Sequence, residues 1–183
     1  MKKLHYNSPV ILTFFFLSLG ALLLNIATGG LTNSLLFSVY RSGIGPLSIV
    51  RLFTHVLGHA NWDHFVGNMV LLLVVGPPLE ERYGSRTLLF GILSTALISG
   101  ILQCLLSTGG LLGASGIVFM LIMLSSLAGM KSGSIPLTLI LVAILYLGKE
   151  VYAIFFVKDN VAHFMHLIGG ACGTVFGYLV RKR

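Results

Sequence analysis

Apolar residues along this chain fall into long blocks separated by short polar stretches. Pro9 to Thr28 forms the first block. It is too long for the core of a signal peptide and has no convincing small-x-small cleavage site, so it predicts a membrane helix. Gly29 to Asp63 follows as a long mixed connection of the kind that often carries function. Trp62, near its end, suits an anchor at the membrane interface. His64 to Leu79 predicts a second span, ended by Pro77-Pro78 and the polar turn Glu80 to Arg86. Thr87 to Leu106 predicts a third, closed by the tight link Ser107 to Gly110. Ser115 to Met130 is a fourth and short one, roughly 24 Å at the helical rise. That length suits a helix buried among others, with its start sunk below the surface. Lys131 to Ser134 separates it from a fifth span, Ile135 to about Leu147. Gly148 to Asn160 is an exterior connection with an apolar patch at Ala153 to Val157, and Val161 to Val180 is the sixth span.

Composition fits this reading of an all-α membrane protein in one domain over residues 1–183. Of the 183 residues 56% are hydrophobic and 9% charged, with a mean hydropathy of +0.96. Soluble domains carry about a quarter charged residues. The net charge of +7 does not indicate a nucleic-acid partner, because the basic residues sit at span ends rather than on one face. Six spans put both termini on one side. With the termini in the cytoplasm, eight Lys and Arg residues lie inside (Lys2, Lys3, Arg82, Arg86, Lys131, Arg181, Lys182, Arg183) and four outside (Arg41, Arg51, Lys149, Lys158). That bias orients the chain. Cys104 and Cys172 fall in apolar segments and read as small buried side chains, with no disulfide framework. There is no convincing internal repeat, which argues against a transporter built from inverted repeats.

The candidate chemistry begins at Gly113-Ala114-Ser115-Gly116, where the polar link turns into the fourth span. A serine at a helix start lies beside free N–H groups that can stabilise an oxyanion, and flanking glycines let another backbone approach. Alone, the motif is weak evidence, because glycine and serine are common in membrane helices for packing. His64 and Asn68 share one face of the second span; a polar amide inside an apolar run needs either a partner helix or a task. Donors there could meet developing negative charge. At the exterior end of the sixth span stand His163 and His166, followed by Gly169, Gly173 and Gly177 at four-residue spacing. That stripe permits close approach to another helix, and the Gly116 side of the fourth span would bring an imidazole to Ser115. No Asp or Glu lies within a span near Ser115, so a Ser-His dyad is expected rather than a triad, with Phe119 one turn on able to stack against the imidazole. His55 and His59, four apart, allow a metal reading with Asp63 or His64. The ligand set is incomplete for zinc, so hydrogen bonding within the first loop is expected instead, with no metal or cofactor. His5 reads as solvated surface.

These residues resemble the rhomboid family of intramembrane serine proteases in its minimal six-helix bacterial form, over nearly the whole chain. Arg51-Leu-Phe-Thr-His55, His59 and His64-Phe-Val-Gly-Asn68 are similar to its first-loop and second-helix motif. Glu80 to Ser85 looks like its Glu-x-Arg-x-Gly-Ser turn, Gly113 to Gly116 its nucleophile motif, and His166-Leu-Ile-Gly169 with Gly173 its last helix. The resemblance implies a six-helix rhomboid-like bundle with Ser115 as nucleophile and His166 as general base, then acid. It implies an oxyanion site of His64, Asn68 and the Ser115 backbone N–H. Gly113, Gly116, Phe119, His163, Gly169 and Gly173 are supporting positions, and Glu80 and Arg82 brace the cytoplasmic turn. The fifth span and the loop after it are the implied gate. Two departures stand out: Val50-Arg51 where the family commonly has Trp-Arg, and Phe119 where it has a tyrosine.

The function so implied is cleavage of the transmembrane segments of single-span membrane proteins, from a multi-pass position in the inner membrane with the site open to the exterior. The alternative is a rhomboid-like binder of membrane proteins without proteolytic activity. Members of that type have usually lost the serine or the histidine, and both are present here.

Overall fold

The structure, a computed structural model, describes residues 5–128, 137–142, 144–145 and 160–180. The described residues are helical, apart from turns and one isolated antiparallel bridge between Val39 and Leu111. In chain order the helices are α1 (Pro9–Ala27), α2 (Leu31–Leu35), α3 (Pro46–Thr54) running into a 3-10 turn (His55–Leu57), α4 (Trp62–Tyr83), α5 (Ser85–Leu106), α6 (Ser115–Ala128), α7 (Leu137–Val142) and α8 (Asn160–Leu179). Three of them, α1, α4 and α5, are long and apolar enough to cross a membrane. They coincide with the first three expected spans. The expected link Lys131 to Ser134, most of the fifth span beyond α7, and the Gly148 to Asp159 loop with its apolar patch lie outside the described residues. So do the basic residues at both ends, Lys2, Lys3 and 181–183.

Two boundaries differ from expectation. Pro77 and Pro78 do not end α4, which continues through them to Tyr83. Each proline lacks the N–H that would reach back four residues, so two helical hydrogen bonds are missing while the axis carries on. The continuation matters because it delivers Glu80. The connection from Gly29 to Asp63 is also more ordered than a mixed loop. Pro46 opens α3 at its first position, and the Ser48 hydroxyl accepts from the Gly45 N–H at 2.8 Å. Leu47, Val50 and Phe53 at helical spacing stay exposed, while Arg51 is buried and donates from Nε to the Leu35 carbonyl at 2.8 Å.

The core is built around α6. Ile117, Met120, Leu121 and Leu124 have no exposed surface, and Leu72 of α4 and Leu88 of α5 close on them. A helix apolar on all sides belongs inside a bundle, which is why fourteen residues suffice here. Glycines set the closest approaches. A Cβ on Gly169 would strike the Gly116 backbone, and one on Gly173 would strike the Met120 backbone. The α6 and α8 axes therefore run side by side in the same direction. The two cysteines are free and half-buried.

At the opposite end of the bundle from Ser115, Glu80 ties three helices together. Its carboxylate is 4% exposed. It accepts from the Val10 N–H at 2.9 Å, the Ile11 N–H at 3.0 Å and the Ser85 hydroxyl at 2.7 Å. Two otherwise orphaned donors in the first turn of α1 are thus satisfied by an anion at the positive end of the helix. Arg82 does not join this contact; its guanidinium lies 5.6 Å from the centre of the Tyr83 ring. Glu80→Ala leaves the three donors without their acceptor and is expected to cost about 2–4 kcal/mol. The check is a lower thermal unfolding midpoint in detergent, with Glu80→Gln in between.

Candidate active site

Ser115 is the first residue of α6. The chain reaches it through Gly113, whose φ of +125° is a backbone region that L side chains rarely adopt. The Gly113 N–H donates to the His55 carbonyl at 2.9 Å, and Leu111 exchanges both backbone hydrogen bonds with Val39 at 2.8 and 2.9 Å. The segment before the serine is therefore held by the first connection at two points. Across the helix pair, His166 lies one turn before Gly169 on the same face of α8 as Gly169 and Gly173.

The close approach of the two helices has a direct result: Ser115 Oγ is 2.8 Å from His166 Nε2. With the Nε2 lone pair facing the hydroxyl, the serine donates. Phe119 stacks on the imidazole, ring centres 4.7 Å apart and planes at 7°. Gly169, opposite Gly116, is nine residues into α8 (169 − 160). Ser115 therefore sits roughly 13 Å below the start of that helix.

A cavity of about 400 Å³ opens beside the pair, lined by His64, Gln103, Gly109, Gly110, Ser115 and His166 among others. His64 packs its ring against Gly113; a Cβ there would lie 2.8 Å from both Cε1 and Nε2. His64 thus shares a cavity with Ser115 and His166. Asn68 sits on the same α4 face but is not among the cavity's lining residues. It is 8% exposed and donates from Nδ2 to the His64 backbone carbonyl at 2.9 Å. One amide hydrogen is engaged within the helix, and the other has no partner among the described residues. A Cβ on Gly116 would meet the Met165 carbonyl at 3.8 Å, an ordinary contact. His163 falls in α8, with its side chain outside the described residues. Glu80 and Arg82 lie at the far end of the bundle.

Gln103 was not singled out by the sequence pattern. It is 1% exposed, donates from Nε2 to the Gly109 carbonyl at 2.9 Å, and leaves Oε1 without a hydrogen-bond partner. Its signal was available: an amide near the end of an apolar span needs a reason to be there.

The two loop histidines hold the first connection together. His55 donates from Nδ1 to the Arg51 carbonyl at 3.0 Å, and its Nε2 faces Ser99 Oγ at 3.3 Å. His59 donates from Nδ1 to the Leu57 carbonyl at 3.1 Å, and its own carbonyl accepts from Asn33 Nδ2 at 2.9 Å. Its ring meets those of His64 and Phe65 edge-on. Burial pushes the pKa of both histidines down to about 4; for His59 the neighbouring His64 lowers it further, against the Leu57 hydrogen bond.

A Rhomboid domain profile matches residues 46–183. The chain is 32% identical over 143 residues to Rhomboid-related protein 2 of Mus musculus, covering 71% of this chain and 47% of that protein. It is 32% identical over 147 residues to Rhomboid-related protein 1 of Caenorhabditis elegans, covering 71% of this chain and 39% of that one. The chain spans less than half the length of either relative.

The neutral loop histidines predict acid sensitivity. The fold binds fewer protons than the unfolded chain between the ordinary histidine value near 6.5 and the folded value of about 4. Stability present above pH 6.5 is therefore lost as pH falls to 4, on the order of 3 kcal/mol for His55. Thermal midpoints in detergent should drop across that window, and His55→Gln should flatten the slope.

Proposed function

The chain belongs to the rhomboid family, and on that premise we propose that it is a membrane-embedded serine endopeptidase cutting single-span membrane proteins in or near their transmembrane segment. The observation that carries this reading is the 2.8 Å approach of Ser115 Oγ to His166 Nε2 across two helices. A structural serine has no need of an imidazole at that distance beside a cavity. In this proposal residues 1–183 form one six-span domain with cytoplasmic termini, in the inner membrane, and the site opens to the exterior.

The reaction is acyl transfer. His166 takes the proton of Ser115 as Oγ attacks the peptide carbonyl, then returns it to the leaving amine; a water attacks the acyl-enzyme by the same route. Stacking on Phe119 supplies part of the orientation of the base. The oxyanion is held by the backbone N–H of Ser115, free at the first turn of α6, and by His64. Asn68 contributes its remaining amide hydrogen and, through the His64 carbonyl, steadies the turn that carries His64. The substrate helix must unwind to present a carbonyl in a cavity of this size, so small residues and weak helix formers are expected at the cut. Nothing in the scheme requires a cofactor or a metal.

Labelling with a fluorophosphonate tests the nucleophile and the base together. Wild type should label, while Ser115→Ala and His166→Ala should not. His64→Ala should lower cleavage of a single-span substrate about a hundredfold while keeping the fold. Labelling that persists in Ser115→Ala would reject the assignment. A folded wild type that neither labels nor cuts, yet binds single-span proteins, would move the chain to the binders.

A further inference from the structure

Toward the far end of the bundle lie two neighbouring cavities, and what they suggest does not depend on the protease reading. The apolar one is a groove of about 470 Å³ between α1, α3 and α5, walled by Phe14 and Leu17 on one side and Leu89 and Leu93 on the other. The polar one is a cavity of about 550 Å³ lined by His5, Asn7, Glu80 and Glu81 among others. Pro9 and Ser85 line both. An apolar slot and a polar chamber that meet at Pro9 and Ser85 suit the two halves of an amphiphile.

Three features select the occupant. The first is length: the groove runs along α5 from Ser85 to Ala96, eleven residues (96 − 85) or roughly 16 Å. One leaflet of hydrocarbon, half of about 30 Å, matches this. The second is the lining. Phe53, Thr54, Val56 and Leu57 of the first connection also line the groove, which favours an acyl chain over a helix crossing the whole bilayer. The third is charge. Arg86, which follows the rim residue Ser85 in sequence without lining either cavity, and Glu81, in the chamber wall, are both exposed, and neither has an ion-pair partner among the described residues. Glu80 is already saturated by three donors. A headgroup for this chamber therefore carries a phosphate for Arg86 and the positive end of α5, and a cation beyond it for Glu81. A purely anionic headgroup would meet Glu81 unpaired.

We propose that this groove and chamber bind one aminophospholipid of the phosphatidylethanolamine type from the leaflet opposite the Ser115 opening. Its acyl chain lies between α1 and α5, its phosphate beside Arg86 and its ammonium at Glu81. The test is native mass spectrometry of the full chain, delipidated in detergent and offered equimolar phosphatidylethanolamine and phosphatidylglycerol. Wild type should retain one phosphatidylethanolamine per chain in preference to phosphatidylglycerol. Glu81→Gln should cut that preference about fivefold, the size expected for one interfacial charge. Arg86→Gln should weaken both lipids. Leu89→Trp and Leu93→Trp, at lipid-exposed positions, should each block the groove and lose both. Equal or better retention of phosphatidylglycerol by wild type would overturn the proposal. So would retention of neither lipid, unchanged binding in both tryptophan variants, or a second copy of the chain in place of lipid.

Discussion

The approach of α6 to α8 is the constraint from which the rest of the site follows. Close packing of the two helices brings a hydroxyl on one and an imidazole on the other to hydrogen-bond distance. Gly169 and Gly173 permit that, one against the Gly116 backbone and the other against Met120. The same contact fixes depth. It sets Ser115 well below the start of α8, beside the cavity lined by His64 and Gln103. Packing contributes to the geometry of the Ser115–His166 pair, since the parallel ring of Phe119 belongs to the same helix pair.

The first connection is the second support. Arg51 and His55 each bond to a backbone carbonyl, and Asn33 grips the His59 carbonyl. From this scaffold the His55 carbonyl holds Gly113 and Val39 holds Leu111. A chain segment that must present a serine at a sunken helix start cannot rely on its own short length. It is pinned from outside, and its stability is thereby linked to the protonation of buried histidines.

Much of this was legible in the residues. The first three spans stand out as apolar runs, and the short fourth one announced its burial. The glycine stripe after His166 predicted which helix it would meet, because only glycine spacing allows that contact. Other features were hidden for physical reasons. Proline usually stops a helix, so the passage of α4 through Pro77 and Pro78 reverses a local rule in favour of the tertiary contacts of Glu80. Short helices such as α2 and α3 carry little periodic signal, and the Pro46 start with Leu47, Val50 and Phe53 on one side becomes readable only beside a buried Arg51. The reach of Glu80 to α1 spans seventy residues, and local pattern holds no trace of it.

Gly113 illustrates what such convergence does to the paths open to mutation. Two separate demands meet there: a positive φ and empty space against the His64 ring. A second change that trims His64 would relieve the collision but leave the backbone strain. A change that relaxes the backbone would leave the collision. Neither route restores the position alone, so its defects cannot be repaired by one compensating substitution. Drift is barred at Gly113 by epistasis of two independent kinds, whereas at Gly116, where a Cβ would meet only the Met165 carbonyl at 3.8 Å, an added methyl group has room.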